Sequence, residues 1–148
     1  MILSKSAKYA LRASLCLAEA GGDRPMPVDE IADRLVVPRN YLSKILHVLA
    51  RTDVLASTRG PGGGFQLARP PHDLALVDVV RHFDDLSDDT TCLLGPDRCC
   101  EVDPCHAHER WAEVRSAITD FLADTKLSDL SSPELLLSVD VVEKVPMP

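Results

Sequence analysis

Aromatic side chains are scarce in this chain of 148 residues: one Trp, two Tyr and three Phe make up 4% of it. Aromatics are favoured strand residues. Their scarcity, beside abundant Leu, Val and Ala, argues against a β-sandwich and for helices packed through aliphatic faces. No apolar run approaches the roughly 18 residues of a membrane span. The one stretch that imitates a secretion signal, Lys5, Lys8 and Arg12 ahead of "ASLCLAEA", is too short and is interrupted by Ser14. Ala7, Ala10, Leu11, Leu15 and Ala18 instead recur at helical spacing, which marks a core helix. A cytoplasmic protein with no membrane partner is expected. Internal repeats are absent, and the length leaves no room for two large independent domains.

Positive charge is also in short supply, with a net charge of −7. Its distribution reverses the inference that nucleic acid is excluded. Residues 1–69 carry ten basic and six acidic side chains, a net of +4, while the remainder carries six basic and seventeen acidic, a net of −11. A basic amino-terminal half is hidden behind an acidic total.

In that half, "PVDEIADRL" has Ile31 and Leu35 on one face and acids in its first turn. "VVP" breaks the pattern at Pro38, and "RNYLSKILHVLAR" follows with Leu42, Ile45, Leu46 and Leu49 as its apolar stripe. Two short helices across a three-residue break make a helix-turn-helix pattern. "VLASTRG" and "GFQLA" then read as short strands around Gly60, Pro61, Gly62, Gly63 and Gly64, a two-stranded wing. A flexible linker and a phosphate cradle are the alternatives; the Gly-Lys-Ser/Thr ending of a Walker-type loop is missing, and the flanking strands and preceding helix pair favour the wing.

The second helix of such a pair enters the major groove, its first residues reaching base edges. Arg39, Asn40 and Tyr41 occupy that start. Arg suits guanine and Asn suits adenine, while Lys44 and Arg51 are placed for phosphates. Arg59, beside Gly60 at the wing tip, is the candidate for the minor groove. A single basic residue is more often a solvated charge, and winged helices also serve as protein-interaction modules. The helix pair, the wing and the local positive charge together favour double-stranded DNA as partner.

Beyond Pro70 and Pro71, "LALVDVVRHFDDL" sets Leu76, Val79, Val80 and Phe83 at helical spacing. "ERWAEVRSAITDFLADTKL" sets Trp111, Val114, Ile118 and Phe121 at steps of three and four, a seam suited to a second copy of the chain. Between them lies the spacing Cys92-x6-Cys99-x5-Cys105-x2-His108, with Cys100 beside Cys99. Structural zinc sites favour cysteines two to four apart, so these gaps fit zinc poorly. Thiolates also ligate iron–sulfur clusters, and imidazole can replace some of them. Asp103 and Pro104 are read as the cap and first residue of a helix, which places Cys105 in its first turn and His108 on the same face. A thiol–disulfide switch at Cys99, Cys100 or Cys105 remains open, whereas Cys16 reads as a small buried hydrophobe. No enzyme is expected, because a cysteine nucleophile needs one activated thiol with a base.

The expected fold is mainly α: a winged helix-turn-helix DNA-binding domain with a two-stranded wing over 1–85, a cysteine-rich loop over 86–108, a long dimerisation helix and following turn over 109–130, and a tail over 131–148.

The stretches "LSKSAKYALRA", "YLSKIL", "RGPGGGF", "CLLGPDRC", "DPCHAHERW" and "TKLSDL" resemble the Rrf2 family of bacterial transcription regulators, in particular its iron–sulfur branch, over roughly residues 3 to 130. The resemblance implies a homodimer whose long helices cross, with winged heads set for half-sites about 34 to 36 Å apart. It implies that Cys92, Cys99, Cys105 and His108 are iron–sulfur ligands, for a 2Fe–2S centre in preference to a 4Fe–4S one. Nitric-oxide-sensing relatives place an aspartate ligand in the first helix, where this chain has Lys8, so that subclass is disfavoured. The same fold with a zinc or thiol site is the alternative.

Overall fold

The computed structural model describes residues 3–86, 92–94 and 102–131. The expectations for Cys99 and Cys100, and for the tail beyond Ser131, fall outside them.

Helix α1, Lys5–Glu19, forms the centre of the molecule. Ser4 caps it, its hydroxyl accepting the Ala7 N–H at 3.1 Å and so satisfying an otherwise free amide. Ala7, Ala10 and Ala13 are fully buried, and their small side chains let neighbouring helices approach closely. Ser14 sits in the same interior, where its hydroxyl donates to the Ala10 carbonyl at 2.9 Å. The helix-turn-helix pair is α2, Val28–Leu35, and α3, Arg39–Ala50. The stripe expected on α3 is the buried one: Leu42, Ile45, Leu46 and Leu49.

The turn between them ends α2 in a Schellman motif, with the Val36 N–H donating to Asp33 O at 3.4 Å and the Val37 N–H to Ala32 O at 3.0 Å. That motif needs a left-handed residue, normally glycine, and Val36 fills the place at φ 54, ψ 49. Among the described residues it is the only non-glycine with positive φ. Val37, one residue on, is buried.

The wing is an antiparallel pair, β1 (Leu55–Thr58) and β2 (Gly64–Leu67), in register from Leu55 opposite Leu67 to Thr58 opposite Gly64. Its far edge is closed by Met26, whose N–H and carbonyl both bond to Phe65, at 2.8 and 2.9 Å. Gly64 permits this approach: a Cβ there would lie 2.3 Å from the Met26 carbonyl oxygen.

Helix α4, Leu76–Val80, is shorter than the run of apolar spacing predicted. The chain tightens after Val80, whose carbonyl accepts both the Phe83 and Asp84 amides, and Phe83 packs against the core from a turn. Helix α5, His108–Asp124, and the short α6, Leu127–Leu130, complete the fold. The chain after α5 returns to the segment before α4: Leu76 N–H donates to Thr125 O at 3.0 Å and Leu127 N–H to Leu74 O at 2.9 Å. Leu122 and Leu127 thereby enter the core of the winged head.

Candidate functional site

The exposed side of α3 is built by elimination, because four leucine and isoleucine positions face inward. Asn40, Lys44, His47 and Arg51 follow steps of four, three and four and share the outer face; all four are exposed, as is Arg39. Arg59 and Gly60 are exposed at the wing tip. His47 adds a link that sequence periodicity does not carry, since its ring meets the edge of Phe65 in β2, centroids 5.6 Å apart at 72°. The recognition helix and the wing are thus fastened to each other directly.

Two of the predicted DNA contacts are already engaged within the chain. Arg39 donates its Nε–H to Asp29 Oδ1 in the first turn of α2. Tyr41 is half-buried, its hydroxyl 2.8 Å from Ser6 Oγ of α1 and its ring edge-on to Tyr9 at 5.6 Å. A side chain held in this way fastens α3 to α1. Next to Asp29, Glu30 accepts from Arg24 at 3.1 Å and Arg34 at 2.8 Å, and the Arg24 hydrogen bond in particular holds its carboxyl below the usual range.

Ahead of the cysteine loop, Phe83 and Leu86 pack against the core, with Asp84 between them. That carboxylate accepts the Ser4 N–H at 2.8 Å, so the approach to the loop is fastened to the amino-terminal end of α1. Ser4 is the cap of α1 and Ser6 its second residue, so Asp84, the start of α1 and the start of α3 form one contiguous set of contacts. His82 lies within the same turn, where burial, reinforced by Arg81, pushes its pKa down, and its Nε2 is enclosed without a hydrogen-bond partner among the described residues.

Of the four predicted ligands, Cys92, Cys105 and His108 are described. Cys92 is half-buried, and its Sγ accepts the Leu94 N–H at 3.4 Å. Cys105 is exposed and does not stand in a helical first turn: α5 begins at His108, not at Pro104. The segment before it forms a turn in which Cys105 O accepts the His108 N–H at 3.0 Å. Asp-Pro is as suited to such a turn as to a helix start, which is why the sequence misleads here. The turn still joins Cys105 to His108, and it makes His108 the first residue of α5. No group of three or more metal-binding side chains occurs among the described residues. Cys16, by contrast, is an interior residue whose thiol is pushed up by burial, with Arg34 opposing.

Helix α5 leaves much of its apolar seam uncovered. Val114 is 48% and Phe121 56% exposed, and only Leu122 is fully inside. Val114, Ile118 and Phe121 line an apolar recess of about 400 Å³ with Leu3. No helix among the described residues is long and apolar enough to cross a membrane.

Comparison with known proteins bears on these features together. The profile of Rrf2, an iron-dependent transcriptional regulator family, matches residues 3–133. An HTH-type transcriptional regulator of Aquifex aeolicus is 39% identical over 136 residues, covering 90% of this chain and 94% of that protein. The transcriptional regulator IscR of Sodalis glossinidius is 34% identical over 144 residues, 97% of this chain and 86% of its own. Among solved structures, CymR, the global cysteine regulator of B. subtilis, superposes with a TM-score of 0.74 at 25% identity, covering 87% of this chain and 95% of that one. T. potens IscR gives 0.70 at 23% identity over 99% and 93%, a likeness of fold.

Proposed function

The chain belongs to the Rrf2 family of DNA-binding transcriptional regulators, and from that premise we propose that it is a homodimeric, cytoplasmic regulator of the IscR type whose grip on promoter DNA follows the state of an iron–sulfur centre. Cys92, Cys99, Cys105 and His108 would hold that centre. The donor chemistry fits, because three thiolates and an imidazole are established cluster ligands and the Cys92 Sγ already accepts a backbone N–H, that of Leu94 at 3.4 Å. When bound, the centre supplies a one-electron couple, 2Fe–2S in preference to 4Fe–4S. An imidazole in place of a fourth thiolate lowers its negative charge and raises its potential.

The remaining work falls to the chain. The observation that carries the reading is that His108 is both a ligand candidate and the first residue of α5, the helix whose apolar seam lies uncovered. Ordering the turn from Cys105 to His108 fixes the start of α5, and a second copy packed on that seam translates the change into the separation of two reading heads. On each head, Arg39 and Asn40 reach base edges in the major groove, Lys44 and Arg51 meet phosphates, and Arg59 and Gly60 meet the neighbouring minor groove. Asp84 offers the opposite end of the loop a second grip, on the start of α1.

The test is the full chain purified without air. Brown protein with iron and acid-labile sulfide is expected, with iron lost in Cys92→Ser, Cys99→Ser, Cys105→Ser and His108→Ala, and promoter affinity changing between loaded and cluster-free samples. Exposure of the Cys105 thiol favours a second reading, a zinc or thiol regulator on the same fold. Zinc by elemental analysis, or colourless protein that refuses iron and sulfide, would establish that alternative and overturn the first.

A further inference from the structure

We infer that Asp29, a residue of α2, sets base preference at the operator by holding Arg39 of α3 in a guanine-reading posture. The inference rests on the reading that α3 enters the major groove. Arg39 is the first residue of α3, the end of a recognition helix that reaches base edges. The three-residue connection folds α2 back so that Asp29, ten positions earlier, meets it: Asp29 Oδ1 accepts from Arg39 Nε.

Which nitrogen is engaged decides what the pair can do. A guanidinium has five N–H donors in a rigid plane. Committing the Nε–H to a carboxylate fixes the plane and leaves the two terminal nitrogens as a parallel fork. Guanine presents N7 and O6 as a matching pair of acceptors, and adenine replaces O6 with a donor. An untethered Arg39 would reach guanine from many rotamers and would turn as readily to a phosphate, which carries no sequence information.

The pair has no comparable value in the free protein. The Arg39 and Asp29 side chains are 55% and 67% exposed, and ion pairs in that setting contribute little to folding. A carboxylate facing DNA also repels phosphates, so Asp29 lowers affinity for every sequence alike. Stability and general affinity thus gain nothing from Asp29 at this place, whereas discrimination does. Removal of water from the groove on binding strengthens the Asp29–Arg39 bond at the moment of reading.

The consequence is a pair of effects of opposite sign, which a structural role would not produce. Full-length protein, Asp29→Ala, Asp29→Asn and Arg39→Ala would each be used to select from a pool of randomised duplexes, then titrated onto a duplex lacking the selected site. Wild type is expected to enrich guanine at one position of each half-site, and Arg39→Ala to abolish that enrichment. Asp29→Ala should lower the guanine-to-adenine ratio there at least threefold while binding the non-specific duplex more tightly. Asp29→Asn, whose amide oxygen still accepts from Nε, should keep most of the ratio and still gain non-specific affinity. If Arg39→Ala loses the guanine but Asp29→Ala keeps it, the inference fails and the reading of α3 stands. If Arg39→Ala retains the guanine, or wild type enriches no sequence, the reading of α3 itself is overturned.

Discussion

Replacing Val36 by glycine should make this protein more stable. Val36 holds the left-handed position of the Schellman turn at φ 54, ψ 49, and a left-handed conformation costs a residue with a Cβ about 1–2 kcal/mol, toward the upper end for a β-branched side chain. Glycine removes that strain but has more freedom to lose on folding, about 0.5–1 kcal/mol relative to alanine. The side chain is 73% exposed, so little apolar burial is forfeited with it. The balance is a gain of about 0.5–1 kcal/mol, or about 1–4 °C in Tm for a chain of this size. Urea unfolding of Val36→Gly and wild type at one fixed protein concentration measures it, the concentration being fixed because association adds to apparent stability. Val36→Ala, which keeps a Cβ at φ 54, should recover only part of the gain. A midpoint for Val36→Gly at or below wild type, with an unchanged denaturant slope, would refute the strain argument.

Leu127→Ala should cost about 2–5 kcal/mol in the same assay, since Leu127 is fully buried in the core of the head; a loss under about 1 kcal/mol would mean the segment after α5 docks only loosely. Tyr41→Phe removes the Ser6 hydrogen bond but keeps the ring on Tyr9, so a loss of about 1 kcal/mol is expected, and a loss of promoter affinity without loss of stability would return Tyr41 to the role of a base contact. Phe121→Asp puts a charge on the uncovered seam of α5 and should convert a dimer to a monomer in sedimentation velocity; a monomeric wild type would contradict the interface. His82 has its folded pKa below the unfolded value of about 6.5, so the unfolded chain binds the proton first. The contribution of neutral His82 is whole above that value and is lost as pH falls through the folded pKa. Stability should therefore drop more steeply from pH 7 to pH 5 in wild type than in His82→Asn, and parallel slopes would contradict the assignment.

The reading head was legible in the sequence because its signals are local. Leu42, Ile45, Leu46 and Leu49 declare one helical face, and the glycines from Gly60 to Gly64 flanked by short apolar runs declare a wing. What stayed hidden are contacts between distant elements: Met26 closing the wing on Phe65, His47 against the same ring, Tyr41 bonded to Ser6, and Leu122 and Leu127 completing the core. Each depends on where whole helices lie, and no periodicity within one segment encodes that. At the cysteine loop the error was of another kind. Pro104 signals a turn and a helix start equally well, so the true first residue of α5, His108, could not be chosen from the spacing.

The backbone bonds between Leu76 and Thr125 and between Leu74 and Leu127 clasp the two ends of a long excursion at its neck. A protease cut between residues 87 and 101 would therefore leave two fragments still gripping one another, their shared interior intact.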